Sequence, residues 1–130
     1  MEYMFDKNLV LTILQQISTA LETIMLRFAP VKSIEDFTNT WQGMEKLDSI
    51  CMVFIAIGES LKQIDKITNG ELLSKYPDTD WKGVKGFRDI ISHHYFNIDA
   101  EEVFWICDKE LQNLATAIKQ IIDDMKKEII

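Results

Sequence analysis

Helix breakers are scarce in this chain: proline occurs twice, at Pro30 and Pro77, and glycine five times in 130 residues. With 47% apolar and 27% charged residues, that scarcity excludes a disordered chain and favours a packed, soluble, helix-rich one. Cysteine is equally sparse. Cys51 and Cys107 stand far apart inside apolar runs and form no CxxC pair, so they read as reduced core residues rather than a disulfide or redox site. A long uncharged run is also lacking: Leu9 to Ala20 contains Gln15, Gln16, Ser18 and Thr19, and is too short and too polar to span a bilayer. The opening MEYMFDKNLV places acids where a signal peptide needs basic residues, so a cytoplasmic protein without membrane association is expected. Positive charge is in deficit. A net charge of −7 works against broad attraction to nucleic acid, so any RNA contact must come from a local basic site.

What is present is helical periodicity, and no stretch alternates as a strand would. Leu14, Ile17, Leu21, Ile24 and Phe28 step by three and four, with Asp6 as a cap and Ala29-Pro30 as a stop. In the connection that follows, Ser33 and Asp36 start either a short turn or the next helix. A second segment carries Trp41, Met44, Leu47, Cys51, Phe54, Gly58 and Leu61 and stops at Asn69-Gly70. A third, shorter element follows Pro77, with Asp78 or Thr79 as its cap, and runs through Trp81, Val84, Arg88 and Ile91. The fourth opens with Asp99 and Glu102, spaced as a capping box. It carries Phe104, Cys107, Leu111, Leu114, Ile118, Ile121 and Met125 on one face.

These spacings predict an all-α fold in one domain, 1–130: an antiparallel up-and-down helical bundle with a short extra helix inserted before the last. Ile50, Met52, Val53, Ile55 and Ile57 widen the second apolar stripe beyond one face, which predicts a further contact, most simply a homodimer.

The rare polar residues converge on FRDIISHHYF, residues 87–96, which holds both histidines and one of the two arginines. At about 100° per residue, Arg88 and Tyr95 lie seven apart on one edge of a helix, and Asp89 and His93 lie four apart beside them. His94 points elsewhere. A neutral histidine can take a proton from a ribose 2′-hydroxyl, an arginine can hold the scissile phosphate, and an aspartate can fix the histidine tautomer. That chemistry needs no metal and no cofactor. Adjacent histidines diverge by about 100° on a helix and cannot chelate one ion together, so no metal ligands are assigned. The plain reading is an i,i+4 Asp–His pair beside a snorkelling arginine. R-x(4–6)-H alone arises often by accident, whereas R-x4-H-x-Y is rare. Lys82, Lys85 and Arg88 make the stretch the most basic in the chain, read either as a phosphate-facing patch or as a solvated face.

Arg88-Asp89-x3-His93-x-Tyr95 on a short third helix resembles the HEPN superfamily, and specifically the HepT-like toxins. IGES, with Gly58 and Glu59, resembles the family's IGE segment, and the lead-in from Pro77 to Trp81 is similar. HHYFNIDAEEVFWI resembles the family's tyrosine, Ile-Asp turn and aromatic, although Phe104 or Trp105 stands where the family often has Trp-Glu. The likeness covers nearly the whole chain. It implies a homodimer with Arg88 and His93 at a cleft between subunits, and a metal-independent endoribonuclease toxin. It also implies neutralisation by a cognate minimal nucleotidyltransferase antitoxin that in some systems transfers AMP to the tyrosine, here Tyr95. Glu59 and Lys85 are candidate supporting residues, Glu59 as a partner for Arg88 across the bundle. Two functions follow: an RNA-cleaving toxin, or a non-catalytic partner and AMP acceptor of a nucleotidyltransferase, which the acidic net charge favours.

Overall fold

A computed structural model of the chain describes residues 4–93 and 99–129, and for 88–93 and 129 it describes the backbone alone. Helix α1 spans Lys7–Phe28, and the Asp6 carboxylate accepts from the Leu9 N–H at 3.0 Å, as the sequence predicts. Val10, Ile13, Leu14, Ile17, Leu21 and Ile24 form its buried face. By length and composition α1 is apolar enough to cross a bilayer, and longer than the uncharged run within it. Its apolar stripe, however, is spent inside the bundle against two neighbouring helices.

The connection forms a turn and then a helix. Asp36 accepts from the N–H groups of Lys32 (2.7 Å) and Ser33 (3.2 Å), and α2, Glu35–Thr38, makes one turn. That turn drives Phe37 to 0% exposure, against Phe28 with ring centroids 6.2 Å apart. Helix α3 runs over Trp41–Thr68, capped by the Thr40 hydroxyl on the Gly43 N–H at 2.9 Å. It ends where expected: Asn69 is left-handed at φ 54°, Gly70 follows at φ 74°, and the Gly70 N–H returns to the Asp65 carbonyl at 2.8 Å.

After a 3₁₀ turn at Leu73–Lys75 comes α4, Trp81–His93. Its cap is Asp80, whose carboxylate accepts from the Gly83 N–H at 3.0 Å, and not Asp78 or Thr79. Asp99 caps α5, Ala100–Trp105, accepting from the Glu102 N–H at 3.1 Å. The chain then passes through a π-helical turn, Ile106–Glu110, into α6, Leu111–Ile129, without leaving helical dihedrals. The expected fourth helix is therefore one continuous element with a wide turn near its start. The buried residues Val103, Cys107 and Leu111 explain the turn. Each four-residue step overshoots a full α-helical turn by about 40°, and the wide turn absorbs the excess so that all three stay on one face.

Antiparallel packing is read from contacts at both ends. Lys7 at the start of α1 pairs with Glu128 at the end of α6 at 3.4 Å. Arg27 near the end of α1 donates to the Ser49 carbonyl early in α3 at 3.4 Å, and Phe28 meets Phe104 of α5 at 5.3 Å. Helix α4 lies antiparallel along α3. The molecule is an all-α bundle, with no strand among the described residues.

Two details differ from the expected stripes. Trp41 and Met44 are exposed, at 82% and 53%, because the first turns of α3 have no neighbour on that side among the described residues. Part of the surplus width of α3 is used within the chain: Ile50 and Ile57 are buried, and Val53 and Ile55 half-buried, because α3 packs against α1, α2 and α4 at once. Met52 stays 66% exposed.

Candidate functional site

The rare residues all fall on or after α4, so the site depends on what seats this helix. Trp81, its first residue, is buried, and its indole Nε1–H donates to the Tyr76 carbonyl at 2.9 Å. Tyr76 in turn donates through its hydroxyl to Asp124 of α6 at 2.6 Å, and Gln120 donates to the other Asp124 oxygen at 2.9 Å. Burial first, then the bond to Asp124, pushes the Tyr76 hydroxyl above its ordinary range, while that same bond holds the Asp124 carboxyl below its own. The foot of the helix is thus tied to the far end of the last one.

Along its length α4 is held to α3. Lys85 pairs with Asp65, both about a quarter exposed. Phe87 packs on Phe54 with ring centroids 4.9 Å apart at 51°. Between these contacts, the site of a missing Cβ on Gly58 lies 3.0 Å from the Val84 carbonyl oxygen. Arg88, Asp89 and His93 continue the same helix beyond Phe87, so the backbone carries all three on one rigid element. His94 and Tyr95 lie outside the described residues.

The supporting candidates separate. Lys85 is engaged with Asp65, whereas Lys82, one turn earlier, is exposed. Glu59 is half-exposed and stands 3.6 Å from Lys62, three residues on; the Arg88 side chain expected as its partner is not among those described. A cavity of about 610 Å³ opens at the foot of α4, lined by Asp65, Thr79, Asp80, Trp81, Lys82 and Lys85 among others. Carboxylates and lysines share its wall, so it is no purely cationic phosphate pocket. Cys51 and Cys107 are buried free thiols, each pushed up to about 12, chiefly by burial. Sequence reasoning passed over Tyr76, Asp124 and Asp65. Only the D-T-D run before Trp81 signalled that α4 would be firmly capped.

An antiparallel α-bundle with a conspicuous Arg-Asp-His segment on a helix seated against its longest member defines the class. The particular family follows from comparison: the family described as "Ribonuclease HepT-like" matches residues 13–121, and the chain belongs to it. A protein of Methanocaldococcus jannaschii named "Putative RNase" is 32% identical over 104 residues, covering 75% of this chain and 83% of its own. A second from the same organism, likewise named, is 31% identical over 71 residues, covering 55% and 58%. A third such protein, from Caldanaerobacter subterraneus subsp. tengcongensis, is 30% identical over 70 residues, covering 54% and 59%. No solved structure matches.

Proposed function

We propose that this chain is a metal-independent endoribonuclease acting as the toxin of a toxin–antitoxin pair. The observation that carries the reading is the coincidence of family membership over residues 13–121 with Arg88 and His93 on the helix that α3 seats, Tyr95 following two residues later in the sequence. His93 takes the proton from a ribose 2′-hydroxyl. The freed oxygen attacks the adjacent phosphorus, and the bond to the 5′-oxygen breaks as that oxygen takes a proton from water, leaving a cyclic phosphate and a 5′-hydroxyl. Arg88 holds the phosphate and offsets its developing charge, Asp89 orients His93, and Tyr95 contacts the substrate. The protein works as a homodimer with the two sites at a shared cleft, which doubles the local positive charge of an acidic chain. A cognate minimal nucleotidyltransferase neutralises it by transferring AMP from ATP to the Tyr95 hydroxyl with release of pyrophosphate, which places negative charge where the RNA phosphate must sit.

The test is RNA cleavage by the purified protein in EDTA, beside Arg88→Ala and His93→Ala. Cleavage by wild type, lost at least about a hundredfold in both variants with folding intact, is the expected result. A second reading, a non-catalytic AMP acceptor for the same partner, is favoured by the net charge of −7. Wild type of unmodified intact mass that leaves RNA uncut would select it.

A further inference from the structure

Where α4 crosses α3, the backbone of one helix meets the missing side chain of a glycine on the other. A Cβ on Gly58 would stand 3.0 Å from the Val84 carbonyl oxygen, 3.5 Å from that of Lys85 and 3.6 Å from the Lys85 Cα. A side chain could rotate out of such a contact; a helix carbonyl cannot, so relief requires moving α4 itself. Glycine is also the poorest helix former short of proline, and Gly58 sits deep inside a 28-residue helix, where propensity alone disfavours it. The contacts on either side fix the remaining freedom. Phe54 against Phe87 stands one turn before Gly58, and Asp65 with Lys85 two turns after. Interaxial distance between packed helices follows the side chains at the crossing, and here there is none on the α3 side.

The consequence reaches the motif. Arg88 and His93 follow Lys85 by three and eight residues on the same helix, about 4.5 and 12 Å further along its axis. A shift at Val84–Lys85 is passed on along that stiff rod. We propose that Gly58 is the positioning residue of the candidate site: by letting α4 sit low on α3, it places Arg88 and His93 against an RNA phosphodiester. The inference rests on the ribonuclease reading above. Gly58 is buried and does not line the cavity at the foot of α4, so its role is one of positioning and not of contact with substrate.

The experiment compares wild type, Gly58→Ala and Ile17→Val, the last removing one methyl from the core of α1 away from the seam. RNA cleavage in EDTA is measured per folded molecule, with the folded fraction fixed by urea titration, and amide hydrogen exchange is followed on each protein. Gly58→Ala is expected to lose about tenfold or more in kcat with KM within about twofold, because small displacements of acting groups fall on the chemical step. Its exchange should quicken within Trp81–His93 and not in α1 or α6. Ile17→Val should lose stability alone. Unchanged kcat per folded Gly58→Ala molecule, or loosening spread evenly over all helices, overturns the proposal. If the variant is unfolded alone, Gly86→Ala supplies a stabilised background with its own single-variant control. A wild type that cuts no RNA refutes the ribonuclease reading, and the exchange pattern still decides whether Gly58 seats α4.

Discussion

The Tyr76 hydroxyl donates to Asp124 across 2.6 Å, joining residues 48 apart and tying the segment before α4 to the last helix. Tyr76→Phe removes that tie while keeping the ring. The hydrogen bond from Tyr76 holds the Asp124 carboxyl below its ordinary 3.8, so its contribution is present above that pH and is lost as pH falls through the lower folded value. Urea midpoints measured from pH 7 to pH 2 should therefore fall in acid more for wild type than for Tyr76→Phe. At neutral pH the variant should have the lower midpoint. Equal acid slopes would remove Asp124 from the account.

The two buried thiols set the alkaline limit. Both are raised from 9.0 to about 12, so the stability they contribute is complete below pH 9 and is lost as pH rises toward about 12. Folded protein should react with Ellman's reagent at pH 8 at least about a hundredfold more slowly than the same chain in denaturant. Fast reaction of either cysteine in the native state would contradict its burial.

Two glycines predict opposite signs. A Cβ on Gly43 would collide with the Asp36 carbonyl and stand 2.9 Å from that of Phe37. Gly43→Ala should thus cost about 3 kcal/mol or prevent folding, since α2 and its buried Phe37 must move. Gly86, in α4, has no described atom within 4 Å of such a Cβ. Gly86→Ala should gain about 0.5–1 kcal/mol from helix propensity. Urea denaturation of the two variants decides both.

Lys85 and Asp65 form a cross-helix pair that can be separated from any phosphate role. Lys85→Met and Asp65→Asn should each cost about 1 kcal/mol, and the double variant less than their sum. If Lys85 instead served mainly as an RNA ligand, Asp65→Asn would leave stability unchanged and Lys85→Met would flatten the salt dependence of RNA binding.

The caps at Asp6 and Asp99 and the stop at Asn69-Gly70 were legible because each is a local hydrogen-bonding device written in adjacent residues. The start of α4 was less so. Asp78, Thr79 and Asp80 are all capping residues, and only the tertiary position of Trp81, held by the Tyr76 carbonyl, selects the third. Trp41 and Met44 fit the three-four pattern yet face outward, because periodicity gives the angle between faces and not which face finds a neighbour. The wide turn at Ile106–Glu110 was invisible for a related reason: a four-four step of apolar residues is compatible with a drifting α-helix and with a regular stripe on a distorted one. Of the candidate site, the helix that carries Arg88, Asp89 and His93 was readable. The seat beneath that helix was not, since it is built from Gly58, Asp65 and Tyr76, contributed by distant parts of the chain.

The π turn also acts as a phase setter. Deleting one residue between 111 and 117 would leave that turn in place but draw the rest of α6 back by about 1.5 Å and rotate it by about 100° relative to α5. Val103 would keep its place at the price of turning Ile118, Ile121 and Asp124 away from α1 and Tyr76. The two halves of this helix tolerate substitution independently, but their lengths are locked together, so the chain should accept changes of identity here far more readily than changes of number.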